Sequence, residues 1–503
     1  MARNCPVYKV DSNNTGLRYA LEKCLNEAED SPIWRPLEPN SYGDFGGTTT
    51  TVARQPINAS RQNQKGVVTD KEASAGYTSD LTNLNHQHFM EGFMFAAARE
   101  RATTTPLNTA PLPITAVTVA DGYAVNATVA AKLKVGSVVM AQGFSTAANN
   151  GVKLVTAIDG TSVLCAGLAA EANPPATASL VQVGHSFAAG AASITLTNGE
   201  LRLSATGIAA ALGVIGGEWI FLGGEEASTS FPNSKGFARV GRISADYLVL
   251  DKVSWKTREA QAGTGVSLQV RLGTVIRNEP DPALIERFTF AFERTLGNDA
   301  DGVMSQYVTG SVANELTINV ASADKVTAEF AFVACDSQAR SGAQGLLPGS
   351  RPALVKQDAF NTSSDVRRLA FQLVGQHDPL FMYATEMTIT INNGGAGAKA
   401  IGVLGNFDIN VGNFEVGGST TAYFQDVRAL NAINNNSDVT MDIILVKNNN
   451  GIVYDIPLLT LGGGMLGVEL NSAVTIPLEN VAAESPFGHT LLYVHFPQLP
   501  SWA

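Results

Sequence analysis

The chain has 503 residues, enough for about three domains of ordinary size. Hydrophobic residues make up 45% and charged residues only 16%, a low charge content that fits a surface largely buried against copies of itself. The 34 basic and 45 acidic residues leave −11, which argues against a protein that grips phosphates with clustered Lys and Arg, though not against a wall that nucleic acid slides past.

The opening residues, MARNCPVYKV, lack the apolar core of a signal peptide. No run approaches the roughly 18 apolar residues of a membrane-spanning helix. The cysteines (Cys5, Cys24, Cys165, Cys335) have no metal-type spacing and read as free thiols of a reducing cytoplasm. Abundant Gly, Thr, Ser and Asn favour short strands and tight turns over long helices.

In chain order, residues 1–33 read as an N-terminal arm with one helix, Thr15–Ala28, whose Leu17, Leu21 and Leu25 recur every fourth position. Residues 34–111 open a first larger domain. Ser41–Ala53 suits one arm of a long hairpin, Gln62–Lys65 a turn, and Val67–Tyr77 the returning strand. Asp80 is placed to cap a helix running to about Ala98, with Leu81, Leu84, Phe89, Met90 and Phe93 as its buried stripe.

Residues 112–258 change character and repeat internally, as inserted small β-modules over about 112–182 and 183–258. Val138–Ala141 matches Trp219–Leu222, Gly151–Ala157 matches Gly236–Ile243, and Val163–Cys165 matches Leu248–Leu250. The first plan resumes over 259–503. Strands are expected at Phe288–Arg294, Glu315–Val320, Thr327–Val333 and Asn413–Phe424, then a helix at Gln425–Ile433. The hairpin Met441–Leu458 turns at Asn448–Gly451 and sets Asp442 opposite Asp455, both read as surface or interface residues. Phe407–Asn436 repeats the strand-plus-helix plan of Trp34–Arg99, so the chain reads as internally duplicated.

Several segments resemble the major tail tube proteins of long-tailed, non-contractile (siphovirus-like) bacteriophages. They are LRYALE from Leu17, WRPL from Trp34, SYGDFGG, VARQPINASRQNQKG ending at Gly66, FTFAFERT, VTGSVANELTINV with TAEFAFV, and FEVGGSTTAYFQD. The resemblance covers roughly 15–105 and 260–495; the central insert departs from it. It implies a mainly β fold: duplicated tail-tube β-sandwich domains, each with a short helix, forming a ring-shaped β-barrel, with the inserted β-modules on the outer surface. It also implies a structural virion protein whose stacked rings make the tail tube, assembled in the host cytoplasm. Double-stranded DNA would pass through the lumen without specific binding, and no membrane partner is expected. Expected partners are further copies of the chain, with a trimeric pseudo-sixfold ring favoured over a hexamer, and tail terminator, tail tip and tape-measure proteins.

On that reading Asp70, Glu72, Asp408 and Glu415 are candidates for an acidic, DNA-repelling lumen. Arg54 and Arg61 are candidates for pairing with a neighbouring subunit's carboxylates. Ser341–Arg351, including Leu346 and Pro348, is a candidate inter-ring loop. Enzyme signals are poor. His86 and His88 stand two apart on an expected helix, so they point apart, and Gly462–Gly464 lacks a phosphate-loop lysine. No catalytic residue, metal ligand or cofactor is assigned. The alternative reading is a β-sandwich adhesin or receptor-binding virion protein.

Overall fold

The computed structural model describes residues 9–57, 59–99, 112–118, 122–299 and 301–503. Cys5, the start of the expected arm and residues 100–111 of the 34–111 segment lie outside the described residues.

The largest of the three antiparallel sheets contains one six-strand plan used twice. The first unit comprises β1 (Gly16–Cys24), β2 (Pro39–Arg54), β3 (Gln64–Asp80), α1 (Gln87–Met94), β4 (Thr289–Asn298), β5 (Val303–Ala321) and β6 (Thr327–Ala334). Its strands pair in the order β1-β4-β5-β6-β3-β2. The second unit comprises β7 (Val366–Leu373), β8 (Ala384–Asn392), β9 (Glu415–Tyr423), α2 (Arg428–Asn434), β10 (Val439–Lys447), β11 (Asn450–Gly463) and β12 (Thr475–Ala482). Its order is the same: β7-β10-β11-β12-β9-β8. The second unit thus begins at β7, earlier than the Phe407 suggested by sequence.

Strand β5 joins the units. Its first half lies beside β4, and its second half, Glu315–Ala321, takes β8 along the same side. Alternation in β5, β6 and β8 turns Leu316, Ile318, Phe330, Phe332, Ile389 and Ile391 inward. They share one core with Phe89, Met90 and Phe93 of α1 and Ala429 and Ala432 of α2.

Two sequence expectations change near the N-terminus. Thr15–Ala28 is not a helix, because Gly16–Leu21 pairs with β4 as strand β1. Leu17 and Leu21, four apart, also satisfy a period of two, and with Tyr19 they face the core. The second helix is shorter than expected. Asp80 ends β3 and pairs with Lys325 at 2.7 Å, the residue before α1 is His86, and Leu84 is exposed. The helix stops where Phe95 turns left-handed at φ +49.

The insert forms the second sheet, and its strand order is palindromic about a central pair. From 179–186 it runs outward through 137–142, 151–159, 162–165, 122–124 and 116–118. From 269–272 it runs through 219–222, 236–244, 247–253, 200–205 and 192–197. Each half has its own core, one drawn from Ile114–Leu180 and the other from Phe187–Leu272. The sheet therefore continues past Arg258 to Leu272.

The insert packs on the face of β10 and β11 turned away from the shared core. Trp219, Phe221 and Phe237 join Ile444, Val453, Val494 and Phe496 in one apolar cluster. Beside it lies a charged cluster. Asp442 and Asp455 do face each other across β10 and β11, but both are fully buried and neither is a surface residue. Arg239 of the insert donates to both Asp251 and Asp455, with its Nη2 2.7 Å from Asp251 and its Nη1 3.2 Å from Asp455. Lys252 pairs with Asp442, and Arg368 Nε reaches the same carboxylate at 2.5 Å. Thr440 Oγ1 accepts from both Arg239 and Lys252. Burial raises Asp455. In Asp442 burial acts the same way, but Lys252 and Arg368 outweigh it and hold the carboxyl below its usual range.

Removing one member of such a cluster strands its partner without solvent. Arg239→Ala should therefore cost roughly 3–5 kcal/mol in a denaturant titration. Lys399→Ala, which breaks two solvent-accessible pairs with Asp70 and Glu72, should leave the transition unchanged. In α1, burial pushes the Glu91 carboxyl up to about 7 against the opposing Ala98 N–H bond. A carboxyl raised in the folded state stabilises most below its unfolded value, near 4.5, and that contribution is lost as pH rises through about 7. The melting temperature should accordingly fall between pH 5 and pH 8, and Glu91→Gln should flatten that slope; an unchanged slope would show that Glu91 is not the source.

Candidate assembly site

The face of β3-β6-β5-β8-β9-β12 turned away from the core is paved with short polar side chains and carboxylates. Glu315, Glu329, Glu386, Glu415 and Glu479 are all exposed there. Strands β5, β6, β8, β9 and β12 contain no Lys or Arg. Hydrogen bonds lie along this face: Asn392 Nδ2 to Glu315 (3.2 Å), Thr421 Oγ1 to Glu386 (2.7 Å), and Thr388 with Ser419 (3.1 Å). Of the lumen candidates read from sequence, Glu415 falls here, beside Asn392 and one strand from Glu315. Glu315, Glu329, Glu386 and Glu479 share this face and were not among the residues singled out from sequence. Their signal was present as strands of alternating pattern with acids and no bases.

The other three candidates sit elsewhere. Asp70 and Glu72 lie on β3 beyond its pairing with β6, and both bind Lys399. The Lys399 ammonium holds Asp70 below the usual carboxylate range. Lys399 belongs to a finger between β8 and β9, in which 396–398 pairs with 408–410. Asp408 is in that finger and pairs with Arg287 at 2.9 Å.

The β2–β3 hairpin runs past the sheet by about nine residues, on the order of 30 Å. Arg54 ends β2 opposite Gln64, and Arg61 follows in the turn at φ +58; both are exposed at the hairpin's far end. Ser341 and Leu346 of the 341–351 loop are exposed, whereas its end is fastened to its own chain. Pro348 O accepts the Trp34 indole N–H at 3.0 Å, Leu347 N–H reaches Tyr307 Oη at 2.8 Å, and Arg351 pairs with buried Glu293 at 2.5 Å.

Two strand edges complete the description. Among the described residues, β2 pairs with β3 alone. Beyond Leu459, where β10 stops, β11 pairs with β12 alone. The histidines offer no catalytic grouping. His86, His489 and His495 are buried, and burial pulls each well below the usual imidazole range, to about 3 or 4. His88 Nδ1 is hydrogen-bonded to Tyr19 Oη at 2.8 Å. Among the described residues no three His, Cys, Asp or Glu side chains converge as metal ligands do.

A comparison with curated proteins finds no match. The family model for phage tail tube protein matches residues 12–482, spanning both six-strand units and the insert between them. The chain therefore belongs to the phage tail tube protein family: it is a structural, mainly β component of the virion that self-assembles into the tail tube, the conduit for genome delivery.

Proposed function

We propose that three copies of this chain close head to tail into each ring of the tube, six units to a ring. One observation carries this reading. The β5–β8 pairing joins the first unit to the second inside the chain, while the equivalent edges at the chain's two outer ends stand open. Strand β2 is the counterpart of β8, and β11 beyond Leu459 is the counterpart of the second half of β5. Setting β2 of one chain beside β11 of the next repeats the internal junction and pairs both of these open edges.

Closure in this way turns the acid-bearing sheets into one barrel wall. Glu315, Glu329, Glu386, Glu415 and Glu479 then face the bore, where carboxylates without bases repel phosphate and let DNA slide. The projecting β2–β3 hairpin, the finger at Lys399 and the exposed Ser341–Leu346 stretch supply contacts between rings, and the insert stands outside. Terminator, tip and tape-measure proteins are the further partners this tube requires at its ends and within it.

Two experiments test the reading. Cysteines placed at Asp44 on β2 and Gly462 on β11 should cross-link between chains and give one closed species of three times the chain mass. A ladder continuing to six chains, or no interchain product in assembled material, would contradict it. Glu329→Lys with Glu479→Lys should leave tubes intact by electron microscopy and lower infectivity by an order of magnitude or more. Full infectivity would remove these residues from the bore.

A further inference from the structure

The centre of the insert contains a feature that tube assembly does not use. Leu154, Val138, Gly184, Arg271 and Phe221 stand opposite one another in a row across five neighbouring strands, so they share one face of the sheet. Gly184 contributes no side chain to that row. A cavity of about 330 Å³ opens there, bounded by Val152 and Leu154, by Glu225, Thr229 and Gln269, and by Leu499 of the C-terminal tail.

Arg271 lines this cavity and is only 2% exposed. Its Nη2 donates to Gln269 Oε1 at 2.9 Å, whereas Nε and Nη1 are buried and have no hydrogen-bond partner. Burial pulls its pKa down to about 10 against the opposing charge of Glu225. A buried guanidinium with idle donors is costly to keep unless something accepts from it.

We propose that this cavity binds a small, singly charged carboxylate bearing several hydroxyls, an acidic monosaccharide in chemical class, with Arg271 as the carboxylate's partner. The rest of the lining fits that class. Val152 and Leu154 offer an apolar wall to the C–H face of a sugar ring. Thr229, Gln269, Glu225 and the neighbouring Glu226 offer hydroxyl partners. Lys153 is a second cation on the lining, and Glu225 and Glu226 together offset it and Arg271, which disfavours a compact multivalent anion.

Titration of the full chain with glucuronate, followed by saturation-transfer NMR, tests the site, with glucose and sulfate as comparisons. Saturable glucuronate binding is expected, with no glucose signal and weaker sulfate binding. Arg271→Met should weaken glucuronate at least tenfold. Leu154→Trp fills the cavity from a partly exposed position and should do the same while keeping the parent melting temperature. No saturable glucuronate signal, equal binding by Arg271→Met or by Leu154→Trp, or sulfate binding as tight as glucuronate would each overturn the proposal.

Discussion

The architecture depends on one strand serving two partners on the same side. β5 is 19 residues long, and β4 covers only part of that side, so the rest must find another strand or stay open. Within the chain β8 fills it. An unpaired edge of backbone N–H and C=O groups is a standing invitation to association. β11 repeats the situation without an internal partner, and β2, the counterpart of β8, has a free edge at the other end of the chain; the proposed ring pairs the two.

The insert is bound into this scheme by buried charge as well as by apolar packing. Three cations (Arg239, Lys252, Arg368) and three carboxylates (Asp251, Asp442, Asp455) meet at its contact with β10 and β11. Such clusters add little net stability over apolar packing, but they penalise any other placement severely. The first unit solves the matching problem differently. Buried Glu293 lies opposite Tyr307 in β4–β5, as Asp442 lies opposite Asp455 in β10–β11. There it is Arg351, from the 341–351 loop, that neutralises the acid. The two units therefore share a strand order while wearing different coverings, and the insert's apolar and charged clusters pack against the second.

Much of this was legible in the sequence, and the failures have physical causes. Alternation identified β5, β6 and β9, the Asn-rich turn fixed the β10–β11 hairpin, and Phe89, Met90 and Phe93 marked α1. Leu17 and Leu21 misled because a spacing of four fits a helix and a strand equally, and pairing with β4 decided the matter. Asp442 and Asp455 misled because an acid in a strand usually faces water; the neutralising Arg239 and Lys252 arrive from some 200 residues away in sequence, a distance local pattern cannot see. For the acidic face, Glu415 was readable singly, but the face itself emerges only when β5, β6, β8, β9 and β12 are laid side by side.

The most direct test of the central claim is a cryo-electron microscopy reconstruction of assembled tubes without imposed rotational symmetry. Threefold rings with insert density at alternate units, and β2 of one chain continuing the sheet of β11 in the next, are the expected result. Rings with true sixfold symmetry and an insert at every position would contradict it.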